Sequence, residues 1–246
     1  MSANLNTVSS IAKQIVLVVA NPGTSTTVGG PVGFWAAELV HAWYEFTEQG
    51  YEVTIASPNG GKVEFDRDSD PRDPGGYSAH DILSIGFIHT PHLMALLDNT
   101  KSLNDVSVES YDAIVIAGGQ SPMFTFPTET RLHQLIAEFY EAEKVTAALC
   151  HGTCALLFVQ LPNGHYLIEG KTITGFANVE EDFADQYVGQ KLMPFRIEDE
   201  AKKLGANFIT GGLFKAFTAR DGRLITGQQQ YSGKATAQEV IRALGI

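Results

Sequence analysis

Residues 145–157 read VTAALCHGTCALL. A run of small and β-branched residues ends in a thiol, an imidazole and a glycine, Cys150-His151-Gly152, and a run of helical character follows. A side chain at such a joint sits at the sheet edge where open parallel sheets bind ligands. A sharp turn pushes it outward while the next helix aims its first amides at it, the geometry of the Gly-x-Ser-x-Gly hydrolase elbow. Here the run is Ala148-Leu149-Cys150-His151-Gly152, with Gly152 letting the helix pack close behind the turn. The chemistry follows from the position. A thiol attacks as its thiolate, and the positive end of a helix is expected to lower its pKa. The His151 amide is placed to hold an oxyanion, and a second donor is expected from Gly118-Gly119-Gln120 at a neighbouring strand end. The same residues fit a plainer role, since free cysteine is often a small, inert core residue. Cys154, one turn further on, reads as core packing.

That joint requires a parallel sheet, and the chain is patterned to build one. Residues 14–20 (QIVLVVA) form an apolar run expected of a strand buried on both faces. After a Gly/Thr/Pro loop, residues 34–48 repeat apolar positions with helical spacing: Trp35, Leu39, Ala42, Trp43 and Phe46. Gln49-Gly50 ends that helix, and residues 51–58 (YEVTIASP) read as a second strand. The order strand, loop, helix, strand predicts a parallel sheet with a right-handed crossover. Residues 59–80, rich in Gly, Asp, Pro and Arg, read as an excursion, with helical segments within 81–105. Together 59–108 are expected to form a cap-like insertion in a single domain spanning 1–246. Strands follow at 111–119 and 145–149, a helix at 128–143 and a helix start at 150–161. Residues 167–176 read as a strand pair, 179–188 as a helical turn, 194–208 as helix and loop, 223–230 as a strand and 235–245 as a closing helix.

Composition narrows the partners. The formal net charge is −11 and no basic run occurs, which argues against nucleic acid and anionic membranes. With Cys150 and Cys154 as its only cysteines, the chain has no disulfide framework and fits a reducing compartment. No apolar run is long enough to span a bilayer, and residues 15–20 run into Asn21-Pro22-Gly23 as a strand would, not as a signal peptide. A cytoplasmic protein is expected. Pro91 breaks the spacing between His89 and His92, so no catalytic metal is expected. Gly29-Gly30 and Gly60-Gly61 lack dinucleotide or P-loop spacing, so no nucleotide and no cofactor are expected either.

Taken in order, GFWAAELVHAW, ASPNGG, the Gly-Gly strand end at 118–120, ALCHG, EGKTITGFANVEE and DGRLITGQQQ resemble the ThiJ/PfpI superfamily. This is the class I glutamine amidotransferase-like fold, and the nearest resemblance is to the heat-shock glyoxalase III group. The resemblance covers nearly the whole chain. It implies a flavodoxin-like three-layer α/β sandwich with a mostly parallel sheet and a nucleophile elbow. It implies Cys150 as nucleophile, His151 as its partner, Glu181 as the acid orienting the histidine, and Glu38 as a glutamate that hydrogen-bonds the thiol. Glu180 and Asp182 flank Glu181, and taken alone this run is an acidic helix start; Glu38 taken alone is a surface glutamate. The group commonly carries His-Gly after the double glycine and an Asp before Pro a few residues later. Here Gln120 and Thr125 stand in that stretch, and Met123, Phe124 and Phe126 would make an adjoining pocket more apolar. The activity implied is cofactor-independent conversion of a small 2-oxoaldehyde such as methylglyoxal to a 2-hydroxy acid by a homodimer. The same activated thiol also suits isocyanide hydration or amide hydrolysis. A stress-response holdase and a redox sensor at Cys150 are alternatives of other classes.

Overall fold

A computed structural model describes residues 12–245. β1 (Gln14–Val18) sends alternate side chains to opposite faces, so one strand feeds two cores. Val16 and Val18 join one core, and Ile15 and Leu17 the other. β2 (Gly23–Thr24) and β3 (Pro31–Val32) make a small hairpin in the loop that follows. α1 (Ala36–Glu48) buries Leu39, Ala42 and Phe46 along one stripe, as their spacing predicts. β4 (Glu52–Ser57) then pairs parallel with β1.

α2 (Ile82–Ile88), α3 (Pro91–Asp98) and β5 (Lys101–Ser102) come next, then β6 (Ala113–Ile116), α4 (Ser121–Thr125), α5 (Thr130–Glu141) and β7 (Val145–Leu149). β8 (Thr172–Ile173), α6 (Asn178–Val188), α7 (Ile197–Lys203) and β9 (Asn207–Phe208) lead to β10 (Thr218–Asp221), β11 (Leu224–Gly227) and α8 (Gly233–Ala243). The central sheet has the order β10-β11-β7-β6-β1-β4-β5, parallel throughout except at β10. Leu135 and Phe139 of α5 pack on one face, Leu39 of α1 and Val240 of α8 on the other, which gives a flavodoxin-like three-layer sandwich. β6 and β7, side by side at the centre, lead into Gly118 and Cys150 just past their ends. None of the helices described is long and apolar enough to cross a membrane.

The structure departs from the sequence reading in four places. The segment after β7 is a 3-10 helix over Cys150–Phe158, tighter than an α-helix and buried nearly throughout. Residues 167–176 supply only β8, which pairs with distant β9 and not with a neighbouring strand. The acidic stretch at 179–188 forms a complete helix, α6, closed by Gly189 in the left-handed conformation. β10, which the sequence reading passed over, is joined to β11 through Asp221-Gly222, a hairpin signal that alternation alone does not reveal.

The 59–108 stretch is tied to the body of the fold near both ends. β5 extends the sheet beside β4, and Phe65 bridges to Phe34 just before α1. That bridge carries the next residue, Asp66, into the interior, where it is 1% exposed.

Candidate active site

Leu149 ends β7 in extended conformation, and Cys150 turns abruptly with φ +55°. A non-glycine residue there stores about 1–3 kcal/mol and persists only where its surroundings hold it. The Cys150 carbonyl is clamped by the Thr153 hydroxyl at 2.6 Å and the Phe176 amide at 3.3 Å. The neighbouring backbone comes close because glycine permits it. A Cβ on Gly118 would lie 2.7 Å from the His151 nitrogen, and one on Gly152 would lie 2.7 Å from the carbonyl oxygens of both Ile116 and Ala117. Those obstacles are backbone atoms of a central strand end and cannot rotate away. Gly152→Ala is therefore expected to destabilise the fold by about 1–3 kcal/mol. A melting temperature equal to that of the unaltered protein would count against this packing.

Cys150 lies 2% exposed at the floor of a pocket. His151 Nδ1 is 3.9 Å from its sulfur, and Nε2 is 3.1 Å from Glu181 Oε1. The imidazole stacks on Phe176, ring centres 4.1 Å apart, which fixes its plane. Glu180, next to Glu181, faces elsewhere: it accepts from the Phe214 amide at 3.1 Å and from the Gln228 side chain. The two adjacent glutamates are thereby separated by helical geometry, one meeting the histidine and the other anchoring the loop at 214.

Glu38 reaches the thiol from α1. Its Oε2 accepts from the Gly118 amide at 2.6 Å, and its carboxyl engages the Cys150 thiol. Oε1 has no nitrogen or oxygen partner among the described residues. The backbone amides of His151 and Gly119 both point at the sulfur. Of the three residues expected to offer an oxyanion donor, Gly118 and Gln120 have their amides engaged, by Glu38 and Asp66 respectively. Gly119, at φ +110° and pressed against Phe34 and Trp35, keeps its amide for the site.

The expectation of a thiol acidified by the helix end is corrected here. Burial and the adjacent Glu38 push the thiol well above its ordinary range, and the two amides offset only part of that. Desolvation of a sulfur anion outweighs two backbone hydrogen bonds. Burial also pushes the Glu38 carboxyl up to about 8, so it is protonated at neutral pH. A protonated Glu38 is a hydrogen-bond donor with one oxygen free for the sulfur. The thiol therefore keeps its proton at rest, and its sulfur becomes a strong nucleophile only as that proton leaves. Asp66, which sequence reading missed, is held up to about 7 by burial and accepts from the amides of Gly33 and Gln120. No periodicity marks it, because it arrives from an irregular loop. Cys154 is fully buried, its thiol pushed up by burial and donated to the Pro122 carbonyl.

The pocket above Cys150 encloses about 160 Å³. Gln120 lines it, whereas Thr125 bonds the Ser121 carbonyl within α4 and does not. Met123 and Phe126 belong to the core beneath, and the apolar walls come instead from Trp35 just before α1, from α6 and from the loops near 77 and 214. Sequence reading missed Trp35, Tyr77, Phe183, Tyr187 and Phe214 as pocket residues. Their signal is weak: aromatic residues in loops or on helix faces otherwise read as packing.

The DJ-1/PfpI family model matches residues 92–243. The glutathione-independent glyoxalase HSP31 of Saccharomyces cerevisiae is 30% identical over 223 residues, covering 88% of this chain and 91% of that protein. The solved glyoxalase III of Candida albicans is 27% identical and superposes with a TM-score of 0.79 over 94% of this chain and 97% of its own. The Rapid Encystment Protein of 24 kDa from Francisella tularensis gives a TM-score of 0.85 at 28% identity, over 95% of this chain and 100% of its own.

Proposed function

The chain belongs to the DJ-1/PfpI family, and from that footing we propose that it is a glutathione-independent glyoxalase, converting a 2-oxoaldehyde and water to a 2-hydroxy acid. The observation that carries the reading is one thiol met by a protonated carboxyl, an imidazole backed by a carboxylate, and two amides. The Cys150 thiol gives its proton to the His151 imidazole as its sulfur adds to the aldehyde carbon, and the amides of Gly119 and His151 hold the oxygen that becomes negative. Glu38 protonates it to a hemithioacetal and is left as a carboxylate. The Glu38 carboxylate then takes the hydrogen from that carbon while the charged His151 protonates the neighbouring oxygen, giving an enediol, and Glu38 returns a proton to the adjacent carbon as the enediol collapses. The product is a thioester of the 2-hydroxy acid, which water cleaves to release the acid and restore the thiol. Glu181 holds the imidazole and stabilises it when charged.

The test is incubation with methylglyoxal in the absence of glutathione, with lactate followed by NMR. Lactate formation is expected; its absence at high enzyme concentration would sink the glyoxalase reading. Within it, Glu181→Gln is expected to lower kcat about 100-fold, while Glu180→Gln mainly lowers the melting temperature. Equal kinetic losses in the two variants would overturn the assignment of Glu181. The reading extends to a cytoplasmic homodimer, the commonest oligomeric state, which light scattering on the purified chain tests.

A further inference from the structure

We propose that the pocket selects 2-oxoaldehydes bearing an aromatic ring, the arylglyoxals, over methylglyoxal. The inference rests on the glyoxalase reading of Cys150 and adds the substituent its pocket is shaped for.

Size is the first argument. A dry apolar cavity of about 150 Å³ binds benzene. The pocket here, about 160 Å³ and open at its mouth, offers a ring's worth of space beyond the sulfur. A methyl group would leave most of that wall facing water, which is unfavourable for apolar surface.

Lining is the second. Trp35 and Tyr77 meet edge-to-face with ring centres 5.8 Å apart, and Phe183 and Phe214 do the same at 5.3 Å. Aromatic rings favour such edge and offset contacts with a further ring. Phe214 is held at φ +49°, and its amide donates to the buried Glu180 carboxyl. A backbone maintained in that conformation beside a pocket fits a binding wall better than a loose loop. At the rim, Phe183 is 49% and Tyr187 85% exposed, so apolar surface remains there for a bound ring to cover.

Charge is the third. Among the described residues no lysine or arginine lines the pocket, and its charged members are the carboxylic residues Asp68 and Glu181. With a net charge of −11 on the chain, a carboxylate or phosphate on the substrate would be repelled and unpaired. A neutral aryl group meets neither penalty. With phenylglyoxal the balance is one substrate and one water giving one mandelic acid, through the same hydrogen transfer and thioester.

The experiment compares kcat/KM for phenylglyoxal and methylglyoxal in the unaltered protein, in Phe183→Ala and in Phe214→Ala. A ratio of ten or more is expected in the unaltered protein, falling at least about fivefold in each variant. The variants separate pocket selection from the intrinsic reactivity of the aryl ketone. A ratio of one or below, or a ratio unchanged in both variants, overturns the proposal. If neither aldehyde is turned over, the glyoxalase reading has failed, and binding of acetophenone to Cys150→Ser protein by saturation-transfer NMR decides the pocket separately. Binding that Phe183→Ala abolishes supports the aromatic preference, and no binding overturns it.

Discussion

Cys150→Ser is expected to lower kcat/KM by about 10⁴-fold or more while leaving the melting temperature nearly unchanged. A hydroxyl of similar size fits the same buried position, but at neutral pH it supplies almost no anion. The amides of Gly119 and His151 would remain, so a small residual rate is expected from them. Cys150→Gly separates strain from chemistry. The φ of +55° costs a cysteine about 1–3 kcal/mol, and glycine adopts it freely. Against this stands the extra freedom glycine gives the unfolded chain, up to about 1 kcal/mol. The glycine variant is therefore expected to be inactive and at least as stable as the parent by thermal denaturation. A marked loss of stability would mean that the turn is unstrained and that the cysteine is retained for packing.

Glu38→Gln is expected to reduce kcat/KM about 10²- to 10⁴-fold and to stabilise the protein at alkaline pH. The carboxyl binds its proton more tightly folded, at about 8, than at its ordinary 4.5. Between those values the folded chain holds more protons than the unfolded chain, so stability is full below the lower value and is lost as pH rises through the upper one. Asp66, held at about 7 against an ordinary 3.8, acts in the same direction over a lower window. The unaltered protein should thus melt at a lower temperature at about pH 9 than at about pH 6. Glutamine can still accept from the Gly118 amide and carries no charge to bury, so this variant should lose much of that slope. Activity of the parent should fall above about 8, where Glu38 no longer holds the proton the sulfur shares. An unchanged slope in Glu38→Gln, or a flat rate through that range, would remove Glu38 from this role.

Some of this was legible in the sequence for local reasons. The β1 run, the α1 stripe and the β7-Cys-His-Gly joint are each written in adjacent residues, because strand and helix periodicities are short-range. Gly152 was readable because a tight strand-to-helix turn demands a small residue next to it. The family resemblance added Glu38 and Glu181, which taken alone look like an ordinary surface glutamate and an acidic helix start.

Other features required the folded chain. The side chains of Glu38, Asp66 and Cys150 come from distant stretches, and it is their shared burial that raises the carboxyls and reverses the expected acidity of the thiol. Desolvation depends on everything packed around a group, so no local motif encodes it. The same holds for the candidate oxyanion donors: three adjacent residues are equivalent in sequence, and only the arrival of Glu38 and Asp66 leaves Gly119 as the free amide among them. The pocket wall follows this pattern too. Met123 and Phe126 lie near the joint in space yet point into the core, while Tyr77 and Phe214 are brought over the sulfur from loops far apart in the chain. Sequence determined where the thiol stands, because a turn is local; tertiary structure decided which carboxyl meets it and what walls the pocket above it, because burial and enclosure are collective.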